Sequence, residues 1–305
     1  MKPRDLVEML LLAAVWGASF LFLRMAAPVV GSVAVAALRV TGAALLLLPL
    51  LMLRGDLRRL KPFLPVLLVS AALSYVLPFL GLGHAARSLP AGLLSILNAT
   101  SPLWGALVGW CWKGEKLSPG RWLGLAIGIA GVALLAADRS QISSGAAWQA
   151  VLLCLGSTLM YALAVHHTRR YLSELSPVSV SAGSLGCAAL MLALPAWWLG
   201  PQPVQGPPMA WAQVPAAAWG AMLALATLCT ALAYLLFYRL IARVGPTKAL
   251  TVTFLIPVFG MLWGSIFLHE QISTAMMAST TVIVLGTLLS SGAWTPFNSS
   301  TRTAS

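Results

Sequence analysis

The chain has 305 residues, of which 59% are apolar and only 9% charged, with a formal net charge of +12. A soluble domain carries roughly a quarter charged residues, so a water-soluble globular fold is excluded. The positive charges are dispersed over short loops and termini instead of gathering on one face, which argues against nucleic-acid binding as their purpose.

Ten apolar stretches follow one another, near 6–24, 33–53, 63–83, 89–112, 121–137, 147–167, 178–199, 216–239, 247–268 and 272–292. Most reach the roughly 20 residues that carry a helix across about 30 Å of hydrocarbon. The runs are continuous, whereas a barrel strand would alternate over about ten residues. The expected fold class is therefore an all-α integral membrane protein with ten transmembrane helices. The first run follows Lys2 and Arg4 and imitates a signal peptide, but its pairing with the sixth run argues that it is retained. The longest loop, from Gly200 to Pro215, holds Pro201, Pro203, Pro207, Pro208 and Pro215 and cannot be helical throughout. Trp197, Trp198 and Trp211 flank it, as aromatic rings do at headgroup level. The tail from 294 to 305 is polar and expected to be disordered; its Asn298 sequon would lie inside and unglycosylated.

A 46-residue stretch is written twice. From Leu89 to Leu134, an advance of 155 positions lands on Val244 to Leu289 without a gap. Pro102, Gly105, Gly109 and Glu115 meet Pro257, Gly260, Gly264 and Glu270. A fainter echo at offset 145 links Leu12–Arg24 with Ser157–Arg169. The organisation expected is a first five-helix repeat over 1–140 and a second, inverted one over 141–293. Inverted repeats of this kind mark secondary transporters. Of the 19 basic residues, 15 fall in segments on the N-terminal side of the bilayer. Only Arg24, Arg87 and Arg139 fall on the other side, and Arg39 is embedded. Under the positive-inside rule both termini are cytoplasmic, in a multi-pass cell (inner) membrane protein.

Within the spans, Pro102 and Pro257 each remove a backbone hydrogen bond and press on the carbonyl four residues earlier, at Asn98 and Thr253. A polar side chain stands at both positions, which fits either a central cavity or a simple kink satisfied within the bundle. Gly105 and Gly109 share one helix face, as do Gly260 and Gly264, and Gly120, Gly124 and Gly128 repeat the spacing. Small residues four apart let helices approach closely, as static packing or as a sliding seam. Arg39 is the one basic residue well inside a span. It either snorkels outward or receives an anionic group with its bidentate fork. Trp16, Ser19, Tyr75, Tyr161, Thr227, Thr230, Tyr234 and Tyr238 are the remaining candidates for lining a solute cavity, with helix packing as the alternative role. All seven acidic residues lie at span ends or in loops, so no core carboxylate relay for protons is visible. The four cysteines have no metal or redox spacing, and no phosphate loop, HExxH or GxSxG motif occurs. No catalytic residue, metal or cofactor is assigned.

Four stretches carry a family resemblance: VWGASFLFLR from Val15, ALRVTGAALLLLPL from Ala37, LPAGLLSILNATSPLWGALVGWCWKGEKLS from Leu89, and TALAYLLFYRLIARVGPTKALTVTFLIPVFGMLWGSIFLHEQIS from Thr230. Together they resemble an EamA-type carrier of the drug/metabolite transporter superfamily, over almost the whole chain. The resemblance implies two inverted five-helix units, alternating access around a central cavity, and export or exchange of an amino acid, related metabolite or drug. By analogy, it places Trp16, Tyr75, Asn98, Tyr161, Tyr234 and Thr253 on the path; Arg39 and Thr230 are further binding candidates from the residues themselves. The partners expected are a small-molecule substrate and the lipid bilayer, with a homodimer left open. A channel is the nearest alternative and an intramembrane enzyme the next. Cysteines placed at 115 and 270 should react with an impermeant maleimide from opposite sides of sealed vesicles; labelling of both from one side refutes the inverted arrangement.

Overall fold

The computed structural model describes residues 2–291 except 54, 115, 139–141 and 143. Glu115, Arg139 and the tail from 294 to 305, with its Asn298 sequon, lie outside them. No strand occurs among the described residues. Among the described residues eight helices are long and apolar enough to cross a membrane: α1 Pro3–Leu53, α2 Asp56–Ala85, α3 Ala91–Trp112, α4 Pro119–Ala136, α5 Gly145–Tyr171, α6 Pro177–Leu199, α7 Ala216–Val244 and α8 Lys248–Leu268. A further apolar helix, α9 Thr274–Ser290, has 17 residues.

The first two apolar runs are joined without a loop. At 51 residues, α1 would be about 77 Å long if straight. It is two helices meeting at Gly31, whose φ of 82° and ψ of 165° suit glycine alone. The proline-rich loop straps this kink: Gln202 N–H donates to Val30 O at 3.0 Å and Val204 N–H to Pro28 O at 2.8 Å. The carbonyls released by the break therefore find partners, as a low-dielectric setting requires. Other boundaries follow local chemistry. Ser144, Ser176 and Ser273 cap the starts of α5, α6 and α9 with their side-chain oxygens. Pro119 and Pro177 occupy first helical positions.

Besides α1, four helices are interrupted among the described residues, α8 at Thr251 between Pro246–Leu250 and Val252–Leu268. α3 breaks at Ala99 and Thr100 between Ala91–Asn98 and Ser101–Lys113. The cause is Pro102, and the carbonyl it displaces, Asn98 O, accepts from Ser101 Oγ at 2.7 Å. α2 and α7 each contain a π-helical turn, at Ala72–Val76 and Thr227–Leu232, whose first residues stand 155 positions apart.

Small residues set the closest packing. α4 lies against α9, where a Cβ at Gly286 would strike the backbone of Gly128, and one at Gly124 the backbone of Ser290. Arg121 Nε donates to Ser290 O across the same contact at 2.8 Å. α8 packs on α3 through Gly260, over Ser95, and on α1 through Gly17, whose Cβ would fall 2.6 Å from Phe259 Cβ. Trp263 Nε1 donates to Ala14 O at 2.9 Å on that seam.

Two ends are tied by charge. At one, Glu8 pairs with Arg239 at 2.8 Å and with Arg243, while Asp5 stands 3.2 Å from Arg243. At the other, α8 ends on His269 at φ 54°, a left-handed residue that swings the next side chain back over the bundle. The Glu270 carboxylate then accepts Ala91 N–H at 3.0 and 2.9 Å and Gly92 N–H at 3.4 Å, neutralising the free donors at the start of α3. Arg24 stands 3.9 Å from Glu270 and donates to Ala86 O at 3.0 Å.

Gly286→Ala should lower unfolding free energy by about 1–3 kcal/mol, because backbone cannot yield to the new methyl. Gly156→Ala, where a Cβ meets nothing within 4 Å, should be neutral or stabilising by up to ~1 kcal/mol. Thermal unfolding in detergent orders the two.

Candidate solute cavity

Two chambers open beside α5, one on each side of Tyr161 and Val165, which line both. The first, about 380 Å³, lies between the broken region of α3, α5 and the start of α8. Asn98, Ser101, Pro102 and Gly105 line it opposite Thr251, Thr253 and Phe254. The second, about 570 Å³, lies between α2, α5, α6 and α7 and is walled by Ser74, Tyr75, Tyr161, Ser181, Ser184, Tyr234 and Tyr238. Thr168, Arg169, Ser173 and Pro177, around the turn between α5 and α6, complete its lining. Tyr238 is hydrogen-bonded to Ser181, and the adjacent Arg239 pairs with Glu8. This part of the chamber therefore lies toward the end of the bundle that carries the N-terminus. The Arg24–Glu270–Ala91 cluster ties the opposite end.

The rings of the second chamber form one connected set. Tyr75 and Tyr234 meet edge to face at 6.2 Å, Tyr234 and Tyr238 stack at 6.0 Å, and Trp16 reaches Tyr234 at 6.4 Å. Offset and edge-to-face pairs of this kind contribute about 0.5–1.5 kcal/mol beyond area burial, so the wall is held by its own rings. The π turn of α2 places Tyr75 in this wall, and that of α7 places Thr230 behind it. A π turn adds a residue to the helix and redirects the side chains that follow.

Arg39 does not snorkel. It is 8% exposed, its Nε donates to Thr230 Oγ1 at 2.9 Å, and its guanidinium stacks 4.1 Å from the centre of the Phe79 ring. Thr230 Oγ1 in turn donates to Leu225 O at 2.8 Å. A hydrogen bond to a charged group is worth about 1.5–3 kcal/mol and a cation–π contact about 0.5–2 kcal/mol. Central placement of an arginine costs about 2.5–3.5 kcal/mol on insertion scales. The terms nearly cancel, so these contacts hold Arg39 in place without making it a source of stability. No acidic side chain pairs with it among the described residues.

The sequence candidates thus divide by location. Asn98, Thr253, Pro102 and Gly105 line the first chamber, Tyr75 and Tyr234 the second, and Tyr161 both. Arg39, Thr230 and Trp16 stand behind the aromatic wall. Gly105 departs from a packing role: a Cβ there would meet nothing within 4 Å, and its carbonyl contacts His166 Nε2 at 3.1 Å. Gly260 is pressed against Ser95, Gly264 against Glu270 and Ala91, while Pro257 and Gly109 are buried. Ser181, Ser184 and Arg169 were not singled out from sequence. Ser184 is 1% exposed and its Oγ has no hydrogen-bond partner. It lies 145 positions after Arg39, so extending the fainter repeat frame through the next span would have marked it.

The EamA-like transporter family profile matches residues 6–137 and again 148–292. An uncharacterized transporter, YvbV, of Bacillus subtilis (strain 168) is 28% identical over 93% of this chain and 90% of its own length. An uncharacterized inner membrane transporter, YedA, of Escherichia coli (strain K12) is 27% identical over 90% of this chain and 86% of its own. A solved crystal structure superposes with a TM-score of 0.63 at 18% identity, covering 96% of this chain and 98% of that one, a likeness of fold alone. An apolar, multiply spanning helical chain matched along nearly its whole length by one family twice over is a member of it: the protein belongs to the EamA-like transporter family.

Proposed function

We propose that the protein is a secondary transporter of the inner membrane that moves a small organic solute, by export or exchange, through alternating access. The observation that carries this reading is the pair of chambers that meet at Tyr161 and Val165 inside the bundle, walled by aromatic and hydroxyl side chains. A third cavity, about 500 Å³ and lined by Arg24, Pro28, Arg87 and Val204, lies at the opposite end beside the strap, next to the Arg24–Glu270 pair. Counting the two halves of α1 separately and adding α9 to the eight long helices makes ten crossings, as two inverted units of five. Three features support that symmetry: the 155-residue frame, the two π turns standing in that same frame, and the matched prolines of α3 and α8. The basic residues then put both termini in the cytoplasm, and the second chamber reaches toward that side.

In this mechanism the units rock along the seams where Gly260 and Gly17 bring α8 against α3 and α1. Solute enters between the rings, and closure of the inner side accompanies release of the Glu270 cluster. No step requires a core carboxylate, so exchange or facilitated flux fits as readily as proton coupling.

Two measurements test the proposal. In sealed proteoliposomes preloaded with members of a metabolite panel, counterflow of a labelled counterpart is expected; absence of flux for every member refutes it. Tyr161→Ala, which removes the side chain shared by both chambers, should cut that flux at least about tenfold, equivalent to ~1.4 kcal/mol. Val165→Cys, 65% exposed and lining both chambers, should be labelled by an impermeant maleimide from the cytoplasmic side of oriented vesicles.

A further inference from the structure

We propose that the transported solute is a net-anionic organic acid with an apolar body, and that Arg39 receives its carboxylate; this rests on the transporter reading above. Arg39 spends one of its five N–H donors on Thr230 and one face on Phe79. Its two terminal nitrogens make no hydrogen bond among the described residues. These are the atoms whose parallel N–H groups match a carboxylate, the geometry that separates arginine from lysine. An embedded cation lacking a protein counter-ion is costly, and an incoming anion supplies the missing charge.

The path from the chamber to this group is one ring layer thick. Phe79 lies 5.8 Å from Tyr75, and Tyr75 lies 6.2 Å from Tyr234, both of which wall the second chamber. The carboxylate passes between these rings while the apolar body stays among Tyr161, Tyr234 and Tyr238. Ser184 adds a buried hydroxyl with no partner in the same wall. It is available to donate to an anion or to a polar substituent.

Charge balance sets the class. Among the described residues no carboxylate lines either chamber, and Arg169 adds a second cation to the lining of the second. Asp5 and Glu8 are engaged with Arg243 and Arg239, and Glu270 with the start of α3. An ammonium brought into the chamber loses its water and finds no anion to replace it. Cations are therefore disfavoured most and zwitterions next, and a monoanion is the form the chamber completes. A carrier built for free amino acids would need the opposite charge as well.

The test uses four probes of one shape: 3-phenylpropanoate, 3-phenylpropanamide, phenylalanine and 2-phenylethylamine. Binding to the full chain in nanodiscs is read by tryptophan fluorescence, since Trp16 stands 6.4 Å from Tyr234, and by calorimetry. Hexanoate and hexanamide repeat the comparison with an aliphatic body. The carboxylate should bind at least tenfold more tightly than its amide and its zwitterion, with the amine weakest. Arg39→Gln should abolish that preference, and Arg39→Lys should retain part of it. Unfolding temperature should stay level or rise in Arg39→Gln, whereas a structural arginine would lower it. Equal affinities for acid and amide in the parent protein overturn the inference, as does failure of both acids to bind or a preference that survives Arg39→Gln. The parent ranking decides the matter even if a variant fails to fold. Counterflow separates the two readings. Tight acid binding without flux refutes the transporter and leaves the carboxylate site standing, whereas flux of the amide with no preference for the acid does the reverse.

Discussion

Hydrocarbon offers no hydrogen-bond partner, and that constraint orders everything else in this molecule. Each backbone group must be satisfied within a helix or by a neighbouring segment. Wherever the helices break, a partner stands ready. Gln202 and Val204 serve the Gly31 kink, Ser101 takes the Asn98 carbonyl, and Glu270 fills the open start of α3. The breaks are accordingly confined to places where protein, not lipid, surrounds them. Those places are the ends of the bundle and the walls of the two chambers.

The same constraint explains why packing rests on glycine. Apolar side chains gain little by leaving lipid for one another, so helices are held by close backbone approach and by a few polar contacts. The α4–α9 pair illustrates the static form. Gly124, Gly128 and Gly286 bring main chain onto main chain, and Arg121 clamps the end of α9. The α8 seams differ in that α8 also supplies Thr253 and Phe254 to the lining of the first chamber. Gly260 meets Ser95 of α3 on one side and Gly17 meets Phe259 on the other. Motion of α8 would therefore reshape the first chamber directly, which suits the rocking proposed for transport.

Arg39 is the point where the energetic account and the functional account meet. Its hydrogen bond to Thr230 and its stacking on Phe79 offset the cost of embedding it, with nothing left over. Two π turns, one in α2 and one in α7, are spent on shaping its surroundings. Irregular helix that purchases no stability is most economically explained by binding, and the aromatic wall in front of it is suited to an apolar solute with one charged end.

Helical class, membrane embedding and family membership were legible in the chain alone, because the hydrocarbon requirement acts on composition and on runs of about 20 residues. The Pro102 frame likewise drew attention to Asn98, since proline's clash with the carbonyl four residues back is a local event. Other features were not legible. The π turns at Ala72–Val76 and Thr227–Leu232 leave no mark in hydropathy, and the joined first two runs read as separate spans because a glycine kink needs no loop. Arg39 read as either snorkelling or binding. Its direction depends on Thr230 and Phe79, one of them 191 positions distant. Ser184 was silent, because a serine in an apolar run is noteworthy only once its neighbours deny it a partner. Local sequence determines which segments enter the membrane, through short-range sterics and transfer energy. Which polar atoms are left facing a cavity is decided by contacts between helices far apart in the chain, and those exist only after the bundle has closed.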